Sequence, residues 1–306
     1  MKRSTRDTID GYLFASPWII GFIAFTLGPM VFAIFLSLAK WDAQTSLANV
    51  DFVGLQHYKT IFTSDRLFWT SLYNTAFYTA FAVPLRIFGA LILAMILNQQ
   101  IRGVSVFRTL FYLPSVVSGA ATAILWWWVF NPYFGALNSL LTPILSIFGA
   151  QPPGWLEDPN WSKPALILMT AWGLGAPMLI FLAGLQGVPR HLYEAAELDG
   201  AGRLRKFWNV TVPMITPTIL FNLVMAIIGS FQVFMMAFIM SEGNRGGPDD
   251  STLFYVLYLY RKAFIDFEMG YASALAWILF VIILFFTLLV LRSSAVWVYY
   301  EGERKK

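Results

Sequence analysis

The sequence contains no cysteine and only two histidines, His57 and His191. Without thiols there is no disulfide, no thiol nucleophile and no cysteine-ligated metal. Two histidines so far apart in the chain do not make a histidine metal site. Charge is scarce too: 12% of the residues are charged, against about 25% in an average soluble domain. No Gly-x4-Gly-Lys-Ser/Thr phosphate loop and no His-Glu-x-x-His pair occurs, so neither a nucleotide-hydrolysing nor a zinc-protease signature is present.

What the chain has instead is apolar. Of 306 residues, 58% are hydrophobic, and mean hydropathy is +0.63. Length alone would allow two soluble domains, but apolar runs of about 20 residues call for lipid as the solvent. The net charge of +4 does not point to nucleic acid, because the basic residues flank apolar segments instead of forming one patch. Lys2, Arg3 and Arg6 precede an apolar run from Trp18 to Leu38. That run is too long for a signal peptide and lacks a small-residue cleavage site, so a retained first span is expected.

Apolar runs predict six transmembrane helices, at about Pro17–Leu38, Tyr73–Leu97, Phe107–Phe130, Pro164–Leu185, Met214–Met240 and Gly270–Leu291. They are too long and too uniformly apolar for barrel strands. Breakers separate them, among them Asn131-Pro132, Gln151-Pro152-Pro153-Gly154 and Gly246-Gly247-Pro248. The expected fold is an all-α integral membrane protein, one transmembrane domain over 1–306 with a loop at 188–213. Basic residues favour cytoplasmic termini. Lys2, Arg3, Arg6, Arg102, Arg108, Arg190, Arg203, Arg205, Lys206, Arg292, Arg304, Lys305 and Lys306 then lie inside. Outside lie only Lys40, Lys59, Arg66, Lys163, Arg245, Arg261 and Lys262. Trp41, Trp69, Trp155, Trp161 and Trp297 fall near span ends, as interfacial aromatics do.

The loop between spans 4 and 5, Val188 to Pro213, is the most informative stretch. Pro189 suits the first helical position. Glu194, Glu197 and Asp199 follow, then Gly200 and Gly202 as stops, then Arg203, Arg205 and Lys206. A short helix is predicted in which Leu192, Ala195, Ala196 and Asp199 share a face made thin by the two alanines. Small side chains beside carboxylates fit protein docking better than a helix resting on lipid headgroups, which would carry Lys and Arg.

The pattern Glu194-Ala195-Ala196, three residues, Gly200, nine residues, Val210-Thr211-Val212-Pro213 resembles the signature loop of binding-protein-dependent ABC importer permeases. Val-x-Val-Pro replaces the family's usual Ile-x-Leu-Pro. Leu192-Tyr193, Asp199-Gly200-Ala201, Phe107-Arg108, Leu113-Pro114, Phe130-Asn131-Pro132, Gly246-Gly247-Pro248 and Met269-Gly270-Tyr271-Ala272-Ser273-Ala274 are similar to the carbohydrate branch, which includes maltose and glycerol-phosphate permeases. The resemblance implies a permease and not an enzyme. Its loop helix, with Glu194, Ala195, Ala196, Asp199 and Gly200, would seat in an ATPase dimer that holds ATP and Mg itself, leaving this chain without a cofactor. It further implies a second permease subunit, an extracytoplasmic sugar-binding protein, and a bacterial or archaeal inner membrane.

A sugar path needs hydrogen-bonding groups and aromatic faces. Ser115 and Ser118 in span 3, Leu174 and Gly175 in span 4, and Asn222, Ser230, Phe231, Gln232 and Phe234 in span 5 are candidates. Some of these are placed there by the maltose-permease resemblance. Helix-to-helix hydrogen bonding is the alternative reading for each polar one. Arg86, within span 2, could meet an anionic substrate, pair with the second permease, or snorkel if the span is shifted, since an intramembrane charge faces protein or water. Trp126-Trp127-Trp128 could stack sugars or form an aromatic belt. Glycerol phosphate would call for several basic groups, so a single arginine favours a neutral sugar, an oligosaccharide being expected.

Overall fold

A computed structural model describes residues 3–42, 44, 50–99, 102–241 and 246–299. Lys2, Arg245, Arg304, Lys305 and Lys306, used above for orientation, lie outside the described residues. The chain divides into two compact units, Met1–Asp65 with Leu259–Phe280, and Arg66–Tyr258 with Val281–Lys306.

In the first unit a helix over Thr8–Ser37 forms span 1. A π turn at Ile23–Leu27 interrupts it, the Gly28 N–H bonding the Ile23 carbonyl. The wider turn lies directly before Gly28-Pro29, where an α-helical repeat would drive the proline ring into the preceding turn. Ala39–Lys40 and Asp51–Phe52 then pair as a minimal antiparallel ribbon, Ala39 opposite Phe52. Beside it sits a helix at Gln56–Thr63. His57 Nε2 lies 3.1 Å from the Ala39 carbonyl, the Tyr58 hydroxyl donates to Ser37 Oγ at 2.9 Å, and the Tyr271 hydroxyl donates to Asp65. Lys262 is flanked by Asp266 at 3.1 Å and Glu268 at 3.0 Å. Burial pushes its ammonium down, but the two carboxylates outweigh that and hold its pKa above the ordinary lysine value.

In the second unit span 2 is one helix, Arg66–Leu97. It starts well before the apolar run at Tyr73 because a helix does not end where lipid does. Span 5 runs over Thr216–Met240. Spans 3 and 4 are bent pairs: Val104–Val116 with Gly119–Val129 at 99°, and Pro159–Gly173 with Gly175–Gln186 at 48°. Uniform hydropathy does not register a break between two apolar halves. Span 6, Met269–Trp297, is one helix whose residues up to Phe280 belong to the first unit and whose remainder belongs to the second.

The core of this unit lies where span 2 meets the second half of span 4 and span 5. Ala90 and Ala94 are fully buried there among Met178, Phe181, Leu182 and Ile215. Small residues let membrane helices approach closely where hydrophobicity alone gives no drive to associate. Gly184 works the same way, since a Cβ on it would lie 2.5 Å from Thr218 Oγ1. Near Lys163 the packing is polar. Asn74 Nδ2 donates to the carbonyls of Asp250 (2.7 Å) and Leu253 (3.1 Å), and Asn74 Oδ1 accepts from Lys163 Nζ at 3.0 Å.

The region between spans 3 and 4 holds an apolar helix, Ala136–Ser146, that the sequence reading passed over. Trp155 is buried against it, donating to Asn138 Oδ1 at 2.7 Å and touching Phe130 and Trp161. Its ring is buried inside the protein and its N–H finds a protein partner there.

Candidate functional site

Three spans lose helical geometry at one place. Span 3 breaks at Val117-Ser118, span 4 at Leu174, and span 5 at Gln232–Phe234. Residues at or beside each break, Val117, Gly173 and Gln232–Phe234, line one cavity of about 530 Å³ in the second unit. Non-helical backbone is tolerated at membrane depth only where protein or a water-filled space satisfies its polar groups. The volume falls within the range of about 300–1,000 Å³ common for small-molecule sites.

Its wall mixes apolar surface with a few polar groups. Span 2 contributes Tyr78, Ala82 and Arg86, one helical turn apart on one face. Span 3 contributes Ser115 and Thr122, span 4 Thr170 and Trp172, and span 5 Ser230, Gln232 and Phe234. Ser115 Oγ accepts from the Ala176 N–H at 3.1 Å, tying span 3 to the restart of span 4. Ser230 donates to the Ile227 carbonyl at 3.0 Å, leaving its oxygen lone pairs free to accept from a ligand. The exposed amide of Gln232 has no hydrogen-bond partner among the described residues. Trp172 packs edge-on against Trp126, centroids 6.0 Å apart.

Arg86, Ser115, Ser230, Gln232 and Phe234 thus come together, while the other candidates stand behind the wall. Ser118 caps the second half of span 3, accepting from the Ala121 N–H at 3.3 Å. Leu174 packs over Gly89, whose Cβ would lie 2.8 Å from Leu174 Cδ1. A Cβ on Gly175 would meet the Phe111 carbonyl and lie 2.7 Å from Tyr112 Cα, so this glycine admits a neighbouring backbone. Asn222 is buried and donates to the Thr218 carbonyl at 3.0 Å. Phe231 stacks on Phe286, centroids 5.4 Å apart. Tyr78, Thr122 and Thr170 were missed, since neutral hydroxyls are unremarkable in an apolar span.

The second feature is the loop helix, Arg190–Leu198. Pro189 is its N-cap, in extended geometry, and not its first helical residue. The helix ends in a Schellman motif: Ala201 N–H bonds the Ala196 carbonyl at 2.9 Å, and Gly200 N–H the Glu197 carbonyl at 3.0 Å. Gly200 has φ +74°, and nothing lies within 4 Å of where its Cβ would be. Gly202 does not stop a helix; it is the N-cap of the turn at Arg203–Lys206. The predicted four-residue face divides. Leu192, Tyr193 and Ala196 turn partly inward, Tyr193 OH sharing a 2.9 Å hydrogen bond with Thr211 Oγ1. Glu194, Ala195, Leu198 and Asp199 face outward. Burying Tyr193 sets this rotation. Leu198 is 91% exposed, and Leu204 and Trp208 are exposed as well. Such an apolar grouping outside the apolar spans was not anticipated.

The family model described as "Binding-protein-dependent transport system inner membrane component" matches residues 86–297. The probable ABC transporter permease protein YesP of Bacillus subtilis is 43% identical, over 100% of this chain and 97% of its own length. The arabinooligosaccharides transport system permease protein AraP of Bacillus subtilis is 32% identical over 92% of this chain and 88% of its own. A chain from the crystal structure of a bacterial ABC transporter involved in import of the acidic polysaccharide alginate superposes with TM-score 0.78 at 24% identity. It covers 96% of this chain and 99% of its own, and so shares the fold.

Proposed function

Because the chain belongs to the family of binding-protein-dependent transport system inner membrane components, we propose that it lines the path of an ATP-driven importer for a sugar, an oligosaccharide. The observation that carries this reading is the convergence of three broken spans on one cavity walled by hydroxyls, a free amide and aromatic rings. A sugar offers hydroxyls for the first two and C–H faces for the rings. The sugar-permease relative AraP supports the substrate class. Gln232→Leu and Ser230→Val are each expected to reduce uptake about 2- to 13-fold at limiting sugar, about one hydrogen bond's worth, with the subunits still copurifying. Unchanged uptake in both would assign these residues to helix packing.

In this reading the loop helix docks on cytoplasmic ATPase subunits, a second permease completes the path, and an external binding protein delivers the sugar. ATP and Mg belong to the ATPase. Both termini and the loop lie inside. The native absence of cysteine gives a direct check of sidedness. Tyr133 and Leu198 are 87% and 91% exposed. In intact cells a membrane-impermeant maleimide is expected to label Tyr133→Cys and to reach Leu198→Cys only after permeabilisation. The reverse pattern would invert the topology.

A further inference from the structure

Among the described residues the cavity wall carries one formal charge: Arg86 borders the space, and no Asp, Glu, Lys or His does so. Among the described residues no carboxylate pairs with it. It lies 11 residues before the end of its helix at Leu97, about 16 Å along the axis. A guanidinium this far along an apolar span costs about 2.5–3.5 kcal/mol to insert and persists where it faces water or a partner. Span 2 presents it deliberately: Tyr78, Ala82 and Arg86 recur every fourth residue, and the two preceding positions are buried at the wall.

From this placement we infer that the transported sugar carries a carboxylate, as a uronic acid residue does, and that Arg86 is the residue that recognises it. The inference rests on the sugar-import reading above and narrows its substrate class. The chemistry is specific. A guanidinium offers two parallel N–H donors to the two oxygens of a carboxylate. One positive charge balances one uronate, whereas a phosphate monoester brings close to two negative charges and would leave the wall under-compensated. The neighbouring groups that meet sugar hydroxyls, Ser230 and Gln232, border the same space. A single cation among neutral hydrogen-bonding groups matches a polyol with one acidic substituent. The neutral sugar expected from the sequence would leave Arg86 without a counter-charge in the loaded state.

The test uses the complete importer with its binding protein, reconstituted in proteoliposomes. Substrates are disaccharides containing one glucuronate or galacturonate residue, each paired with the counterpart whose carboxyl is reduced to the alcohol. At least one acidic disaccharide is expected to be taken up about tenfold or more faster than its reduced counterpart, a charged hydrogen bond's worth. Arg86→Gln should erase that difference with the subunits still copurifying, and Arg86→Lys should restore part of it. Three results overturn the inference but leave sugar import standing: uptake of neutral members only, equal loss of both members in Arg86→Gln, or loss of copurification, which would assign the guanidinium to subunit pairing. Failure of every acidic and neutral saccharide to be taken up or to stimulate ATP hydrolysis would overturn the sugar reading, and this inference with it.

Discussion

Gly200→Val is expected to abolish sugar-stimulated ATP hydrolysis in the assembled importer, with Gly200→Asn retaining most of it. The difference is conformational, since nothing stands within 4 Å of the missing Cβ and φ is +74°. Holding a β-branched residue left-handed costs about 1–3 kcal/mol, whereas asparagine tolerates that region. If the turn instead relaxes, the two Schellman hydrogen bonds to the Ala196 and Glu197 carbonyls go with it, at about 0.5–1.5 kcal/mol each. A nine-residue helix has little stability of its own to absorb this. On the proposed docking surface Ala195, which faces outward, should matter more than Ala196, which is half-buried. Ala195→Trp should therefore uncouple by obstruction, and Ala196→Ser should be tolerated. No span is altered, so immunoblots of membranes should show normal levels of every variant. Stimulated hydrolysis surviving in both Gly200→Val and Ala195→Trp would remove the loop from coupling.

Gly175→Val should have the opposite profile: little folded protein, at any sugar concentration. A Cβ at this position meets backbone on the facing helix, the Phe111 carbonyl and, at 2.7 Å, Tyr112 Cα. Backbone cannot step aside as a flexible side chain can, so the halves of spans 3 and 4 must separate. Overpacking of this kind costs about 1–3 kcal/mol and occasionally more, and the Ser115–Ala176 hydrogen bond beside it would be strained as well. Gly173, two residues earlier, borders the cavity and has open space around its Cβ position. Gly173→Ala should leave the thermal unfolding of the detergent-purified complex unchanged. Equal stability of the two variants would show that the contact is not tight.

The sequence made the spans and the loop legible for different reasons. Twenty apolar residues have one solution in lipid, so the existence of all six segments followed from composition. The loop stood out because Glu194, Gly200 and Pro213 are chemically unlike their surroundings. Arg86, Ser230 and Gln232 were visible for the same reason, as polar residues in apolar runs, and they meet at one cavity. The breaks were not visible. In a span that is apolar on all sides, periodicity no longer tells one face from another, and the 99° bend of span 3 depends on what packs against it. Gly175 shows the same limit, since a glycine in such a run reads alike whether it opens space or admits a neighbour. The outward face of the loop helix was misjudged by part of a turn, because the Tyr193–Thr211 contact that sets its rotation spans 18 residues.

The π turn at Phe207–Thr211, closed by the Val212 N–H on the Phe207 carbonyl, has a consequence for how the chain can change in length. A π turn holds one residue more than an α turn at the same point, and here it leads directly into Pro213. Removing one residue from it would restore an α repeat and leave the helix on either side nearly in phase. The same deletion in an α-helical turn beside it would rotate everything before it by about 100° about the axis. The loop helix is held to this turn through Tyr193 and Thr211, so only the second deletion would make it offer a different side to its surroundings. The π turn is therefore the one place in this stretch where the chain can lose a residue and keep the loop helix facing as it does.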